Sequence, residues 1–400
     1  MIKKIYVLFL LLILLLLFIT APGCWNRLEP EDLALVTTMG LDRDEDGHFK
    51  IVVLIANPKA MAGSGENDGG GGEAKTELVA AATGRTIFEA FRNLDNKFSR
   101  RLNVTHMTVI IISEDFAREG LLPLIDVFDR ERQSRLQANV LVVDGDVRKA
   151  MEAELPLEEN WFSGILLRTQ NVFGVTGTAI EESFRTIIQR LAQPGWELKL
   201  SRLQVLETEE SLVEESPVLV NGTAAFKGDR MVGWCNDQET RGFLWLDNNV
   251  DRVFYILDSP SPEGGQLSVE IFQANSRMEA RVDGDQVFIT VEVMTDGRLH
   301  ESTGTEEWLT QESELVHSLD RRLAQAVRND IFAAVRKCQE EFNSDNLGFG
   351  NLVYRTLPRD WERLEGRWDE IFPEIKVEVL VDANVRRTGL VKDTVRIRKN

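Results

Sequence analysis

The sequence predicts a mixed α/β protein behind an N-terminal export signal, and three observations predict it. An apolar run leads into Cys24. Short apolar stretches then alternate with segments of helical period up to about residue 200. From about residue 218 the chain becomes a series of hairpin-like strands followed by one long amphipathic helix.

Lys3 and Lys4 form a positive flank, Ile5 to Ile19 is unbroken apolar sequence, and Thr20-Ala21-Pro22-Gly23-Cys24 follows. A charged flank, an apolar stretch and small residues at a cleavage site mark a secretory signal. The apolar run of 15 residues is shorter than the ~20 a spanning helix needs. Gly23-Cys24 resembles a bacterial lipobox, whose Cys is diacylated and becomes the first residue of the mature chain. Ala21 and Pro22 depart from the Leu and the small non-proline residue usual there. The alternative is an uncleaved N-terminal helix that remains as the anchor. Both readings put the body outside the cytoplasmic membrane, and residues 1–23 are assigned to the signal peptide.

Cleavage before Cys24 leaves 377 residues, room for two or three domains, and takes the net charge from −19 to −21. A chain this acidic repels nucleic-acid phosphates and anionic lipid head groups alike, so no nucleic-acid partner is expected. Besides Cys24 only Cys235 and Cys338 remain, enough for one disulfide at most. Spacing alone does not establish the geometry such a bond needs, and a free Cys338 packs equally well as a small hydrophobe.

Leu33–Leu41 and Phe49–Ile55 flank the polar turn Asp42-Arg43-Asp44-Glu45-Asp46-Gly47, the pattern of a hairpin. The turn imitates the start of an EF-hand loop, but Val53 stands where the bidentate Glu belongs, so no metal is expected. Met61–Glu73 is glycine-rich and reads as a flexible surface loop. Ile87, Ala90, Phe91, Leu94 and Phe98 recur at helical spacing. Val104–Ser113 and Ala138–Val143 read as strands around a helix at Leu121–Arg132. Residues from about 155 to 200 are transitional, with a short helical face at Phe184, Ile187, Ile188 and Leu191. These elements make an N-terminal mixed domain over 24–200, closed by an acidic linker at 201–217.

The C-terminal part, 218–400, opens with a hairpin through Lys227-Gly228-Asp229. Strands follow at Val253–Leu257, Leu267–Phe272, Arg277–Val282 and Val287–Val293. Gln311–Phe342 reads as one long helix, with Leu319, Leu323, Val327, Ile331, Val335 and Cys338 on one face. A further helix follows Pro358, and Ile375–Val381 alternates as a strand. No local zinc spacing, nucleophile elbow or phosphate-cradling loop occurs. Acidic pairs such as Glu158-Glu159, Glu181-Glu182 and Glu306-Glu307 read as solvated surface. No cofactor is expected.

Several segments together resemble one family. Trp25-Asn26-Arg27 and Asp32-Leu33-Ala34, after Cys24, are similar to the start of the Ger(x)C spore-germination lipoproteins, the C-subunits of nutrient germinant receptors. Gly222-Thr223-Ala224-Ala225-Phe226-Lys227, Val232-Gly233-Trp234 and Glu239-Thr240-Arg241-Gly242 resemble that family's central motifs. Gly348-Phe349-Gly350, Trp361, Trp368-Asp369-Glu370-Ile371-Phe372-Pro373 and Arg386-Arg387-Thr388-Gly389 resemble its C-terminal ones. Asn26 and Cys235 stand where Asp and Leu are usual. The resemblance implies an α/β fold in about three domains, the C-terminal one rich in antiparallel sheet. It implies a non-enzymatic subunit, lipid-anchored through Cys24 on the outer face of the spore inner membrane. The implied partners are an A-subunit with its own membrane domain and a B-subunit related to amino-acid permeases.

The motif residues have physical roles of their own. Gly222, Gly233 and Gly242 suit turns or close backbone approach. Trp234, Trp361 and Trp368 suit anchoring in a core or an interface. Arg241, Arg386 and Arg387 are cations that can pair with Glu239, Asp369 or Glu370. With Trp25, Arg27, Phe226 and Phe372, they form either an internal framework or a docking surface for partner subunits. Two other readings are a lipoprotein that captures a small nutrient for a permease-like partner, and an envelope hydrolase.

Overall fold

The computed structural model describes residues 2–20, 32–57, 76–130, 136–153, 155, 160–206, 218–259, 264–303 and 313–386. Cys24, Trp25, Arg27, Arg387, the glycine-rich loop at 61–73 and the acidic stretch at 207–215 lie outside them. Helix α1 (Ile2–Thr20) carries the N-terminal apolar run. At ~1.5 Å per residue that run extends about 22 Å, short of the ~30 Å hydrocarbon core of a bilayer. No helix among the described residues is long and apolar enough to cross a membrane.

The first sheet has nine strands: β1 (Leu33–Arg43), β2 (Phe49–Ala56), β3 (Glu77–Gly84), β4 (Arg101–Asn103), β5 (Val109–Ser113), β6 (Asn139–Asp144), β7 (Lys199–Val205), β8 (Val218–Lys227) and β9 (Arg230–Cys235). Their order is β3-β2-β1-β5-β6-β7-β8-β9, with β4 beside β1. The centre, β1-β5-β6-β7, is parallel, and the flanks are antiparallel. Parallel strands need crossovers, and these are helical: α2 (Ile87–Asp95), α3 (Glu114–Glu119), α4 (Leu122–Arg130), α5 (Val147–Glu152), α6 (Trp161–Asn171) and α7 (Phe184–Leu191). Thr86, Ser113, Asp146 and Ser183 start four of them by accepting a backbone N–H at the third helical position.

A strand covered on both faces must be apolar at every position. Ile110 and Ile112 pack with Phe116, Leu124, Phe128 and Phe184 on one side, while Val109 and Ile111 pack with Val147, Met151 and Trp161 on the other. This accounts for the run Val109-Ile110-Ile111-Ile112. The strand begins at Val109 rather than Val104. The antiparallel edge strand β3 and helix α6 lie where the sequence gave no clear period.

The second sheet runs β10 (Val253–Asp258), β11 (Gln266–Asp283), β12 (Gln286–Ser302), β13 (Lys376–Arg386). β11 and β12 form one long hairpin turning at Gly284, whose φ of 59° lies in the left-handed region. The two strands expected at Leu267–Phe272 and Arg277–Val282 are a single strand, with bulges where apolar alternation slips. One face is covered by α8 (Asp237–Leu246), α9 (Ser313–Arg336), α10 (Phe349–Thr356), α11 (Pro358–Leu364) and α12 (Trp368–Ile371). The expected long helix is α9 together with the π-helical turn Lys337–Phe342. Leu319, Leu323, Val327, Ile331, Val335 and Cys338 are buried along it.

The segment expected as a linker, 201–217, joins two neighbouring strands of one sheet: β7 and β8 pair antiparallel from Lys199–Ala225 to Val205–Val218. The change of sheet comes after Cys235, through α8. The acidic composition of the connection is visible in sequence, but which strand β8 would pair with is not. Cys235 and Cys338 are both free, buried thiols, so the single disulfide that the sequence allowed is not formed.

Helices α8 and α9 touch through Gly242. A Cβ there would sit 2.3 Å from the Asp330 carbonyl oxygen and 2.6 Å from the Ala334 Cβ. Gly242→Ala must therefore push the helices apart, at a cost of about 1–3 kcal/mol. Its melting temperature is expected to fall by several degrees. Gly366→Ala, where nothing lies within 4 Å, should leave it nearly unchanged. Differential scanning calorimetry on both variants checks this, and an unshifted Gly242→Ala would contradict the close approach.

Candidate functional site

Most of the described motif residues gather at a seam between the two sheets, while Arg386 lies at the far edge of the second sheet. Gly222 has a φ of 74°, and its N–H donates to the Thr178 carbonyl at 2.7 Å. A Cβ on Gly222 would meet the Cys235 carbonyl oxygen at 2.6 Å, and one on Gly233 would meet the Phe342 ring at 2.6 Å. Phe226 is fully buried, and its carbonyl accepts from Ser344 Oγ at 2.6 Å and Asn346 Nδ2 at 2.8 Å. Trp234 is half-buried, under the Arg202 guanidinium.

The Glu239-Thr240-Arg241-Gly242 run divides its work along α8. Glu239 completes a capping box with Asn236. The Thr240 hydroxyl lies 2.9 Å from that of Thr223. Arg241 Nε donates to Asp330 Oδ2 at 2.8 Å, so its partner is Asp330 on α9, not Glu239, Asp369 or Glu370. The Tyr255 hydroxyl donates to the same Asp330 oxygen at 2.8 Å and accepts from Trp245 Nε1 at 3.0 Å. Burial and the neighbouring Asp330 carboxylate push the Tyr255 phenol well above its usual range.

At the other end of the seam, Asp345 is the organiser. Its carboxylate accepts from Phe349 N at 3.0 Å, Gly350 N at 2.6 Å and Trp368 Nε1 at 3.0 Å. Burial raises this carboxyl to about 6, and the three donors work against the rise. The Trp368 ring packs 5.1 Å from that of Trp361, tilted by 57°, and Phe372 lies 6.3 Å from Phe349. Asp369 pairs with Lys227 at 3.1 Å, Glu370 with Arg367 at 3.2 Å, and Arg386 with Asp296 at 2.6 Å.

The seam also holds a buried charge cluster to which no motif pointed. Lys199 at the start of β7 has no exposed surface. Its ammonium donates to Asp247 Oδ1 at 2.9 Å and to the Asn346 carbonyl at 3.0 Å. Arg190 on α7 pairs with Glu182 at 2.6 Å and lies 4.0 Å from Asp247. Burial, opposed by Arg190 and Lys199, raises the Glu182 carboxyl to about 7. The one available signal for Lys199 was its place between Leu198 and Leu200 at the start of a strand, in a segment that reads as transitional in sequence. Glu182, expected on the solvated surface with Glu181, is instead buried against Arg190, and nothing in the sequence marked Asp247.

A separate cleft of about 760 Å³ opens at the carboxyl ends of β1, β5 and β6, lined by Asp42, Asp44, Lys50, Glu114 and Asp146 among others. The helices leaving β5 and β6 pack on opposite faces of the sheet, so the two strand ends diverge there. Arg43 at its rim is held by Glu119 at 2.8 Å and lies 3.7 Å over the Phe49 ring. The Asp42–Gly47 turn closes on itself, with Asp44 accepting from the His48 N–H at 2.8 Å.

Comparison with known proteins places these features. Residues 26–205 match the family described as "Spore germination protein N-terminal domain", and residues 221–389 match "Spore germination B3/ GerAC like, C-terminal". YfkR of Bacillus subtilis (strain 168) is 27% identical, covering 95% of this chain and 97% of its own. Spore germination protein KC of the same organism is 26% identical, covering 97% of each. The crystal structure of the GerBC protein superposes with a TM-score of 0.55 at 15% identity, covering 87% of this chain and 96% of that one, a likeness of fold.

The raised Glu182 carboxyl sets a pH dependence. Its folded value of about 7 exceeds the unfolded 4.5, so the folded state binds the extra proton between them. Stability from this group is fully present below about pH 4.5 and is lost as pH rises through 7. Glu182→Gln removes the titration. Its melting temperature relative to the parent is expected to move in the variant's favour by a few degrees between about pH 5 and about pH 8. A gap independent of pH would refute the assignment.

Proposed function

We infer the function from one premise: the chain belongs to the spore germination GerAC-like family, whose N-terminal and C-terminal halves it carries in order over residues 26–205 and 221–389. The role this supports is a component of a nutrient germinant receptor. The finer reading is a non-catalytic subunit, tethered by acyl groups on Cys24 to the outer face of the spore inner membrane. There it acts in assembly or signalling with a membrane-embedded A-subunit and a permease-like B-subunit.

The observation that carries the non-catalytic reading is the fate of the motif residues. Arg241, Glu239 and Trp368 each have their polar groups committed to a partner inside the protein. They build a seam rather than line a cavity. Surface left for partners lies on the acidic exterior, which includes the exposed motif side chains Asp369, Glu370 and Arg386. A body at −21 is repelled by anionic lipid, so a covalent tether is what would keep it at the membrane.

Asp42, Asp44, Glu114 and Asp146 around the cleft favour one second reading, capture of a small cationic nutrient. Thermal stabilisation of the chain by such a compound, absent for anionic ones, would separate this from the assembly role.

Affinity purification of the tagged full chain from spore membranes is expected to bring A- and B-type subunits with it. Their absence would defeat the receptor reading. Cys24→Ala is expected to melt like the parent yet leave the membrane fraction when partner subunits are missing. Retention there would instead assign the anchor to the uncleaved helix.

A further inference from the structure

Edge strands present unpaired N–H and C=O groups to any other strand, and proteins usually block them. Two edges of this molecule are blocked. Lys97 Nζ and Asn93 Nδ2 donate to the carbonyls of Ala81 and Thr83 on β3. On β13, Arg328 Nε donates to the Val379 carbonyl and the Val385 N–H donates to Asp320. The edge strand β10 differs. Among the described residues, no side chain bonds its main chain from Phe254 to Asp258. The strand has no Pro, no Lys and no bulge.

Its outward residues are Arg252, Phe254, Ile256 and Asp258, while Val253, Tyr255 and Leu257 point into the core. Phe254 is 50% exposed and Ile256 61%. Arg252 has only a loose, exposed partner, Glu270 at 3.9 Å. The outward pattern is self-complementary about Tyr255. A second copy laid antiparallel with the two Tyr255 residues opposed brings Arg252 opposite Asp258 at both ends. It brings Phe254 opposite Ile256 twice in the middle. Aromatic with β-branched and cation with anion are the favourable cross-strand pairs. Gly177 and the turn Val172–Thr176 pack against the start of β10 at Arg252 and Val253, so the main-chain ladder is confined to Phe254–Ile256 of each copy and Arg252 meets Asp258 through side chains alone.

We propose that β10 is a homotypic docking edge, at which two copies of this chain pair antiparallel and join their second sheets into one continuous sheet. The occupant is a second copy because the chain itself supplies the acid, the base and the two apolar residues in the required register. A two-fold contact of this kind is self-closing, so it yields dimers and not filaments. The contact is one strand long, so it is weak and concentration-dependent.

The test is sedimentation equilibrium of the full chain in detergent, over a range of concentrations. The parent chain is expected to dimerise reversibly. Arg252→Asp and Asp258→Arg each put like charges opposite one another and should weaken the dimer about tenfold. The double variant exchanges the charges and should recover affinity to within a few-fold of the parent. Ile256→Lys, a blocked edge, should be monomeric. Melting temperatures of all four variants are expected to match the parent, since every substitution is on the surface. A parent chain that stays monomeric throughout overturns the proposal. So does a double variant no tighter than the single ones, or an Ile256→Lys chain that still dimerises. These outcomes do not depend on the receptor role, which fails or stands on the purification.

Discussion

The ammonium of Lys199 is the point at which the two halves of the molecule meet. It has no exposed surface and bridges a carboxylate at the end of α8 to a carbonyl beyond the π-helical turn. An ammonium stripped of water is costly unless all its donors find partners, and removing one partner of such a pair typically costs about 3–5 kcal/mol. The orientation of β7 relative to α8 and to the Ser344–Asn346 loop is therefore tightly specified. Arg190 and Glu182 extend the same constraint into α7. The neighbouring contacts inherit that geometry: Asn346 reaches the carbonyls of Leu198 and Phe226, and the Asn351 N–H reaches the Gly195 carbonyl at 2.8 Å.

The seam is accordingly polar at its centre and apolar around it. Ala225 and Cys235, at the end of the first sheet, are members of the same buried cluster as Phe243, Val335 and Cys338 of the second half. Glycines at Gly222, Gly233 and Gly242 allow the backbones to close to distances that any side chain would prevent. Asp345 and Asp330 each gather donors from separate elements. The two sheets are thus joined by a shared core and by direct hydrogen bonds and ion pairs, and not by a linker alone.

This explains which parts of the structure were legible in the sequence. The fold class, the hairpin at Asp42–Gly47, the long helix and the two-faced apolar strands follow from local period and turn chemistry. β3 and α6 lack a clean period. The hairpin of β8 with β9 was legible, but the pairing of β8 with β7 across the acidic connection was not, because strand pairing between distant segments is a long-range property that hydropathy does not encode. The motif set was legible as a set, but its division of labour was not. Arg241 has nearer acids in the chain than Asp330, 89 positions away, and only the fold selects between them. Glu182 and Asp247 looked like the many solvated acids around them.

A fused body has a consequence for how such a subunit can act. Rigid seams transmit displacement but give little room for an internal hinge, since packed interfaces are bistable at best and not continuously deformable. The charged seam adds one soft degree of freedom. Glu182 and Asp345, raised to about 7 and about 6, change protonation within the range where carboxyls on the surface are already fully ionised. The seam that joins the two sheets thus also carries carboxyls whose protonation follows the pH around it.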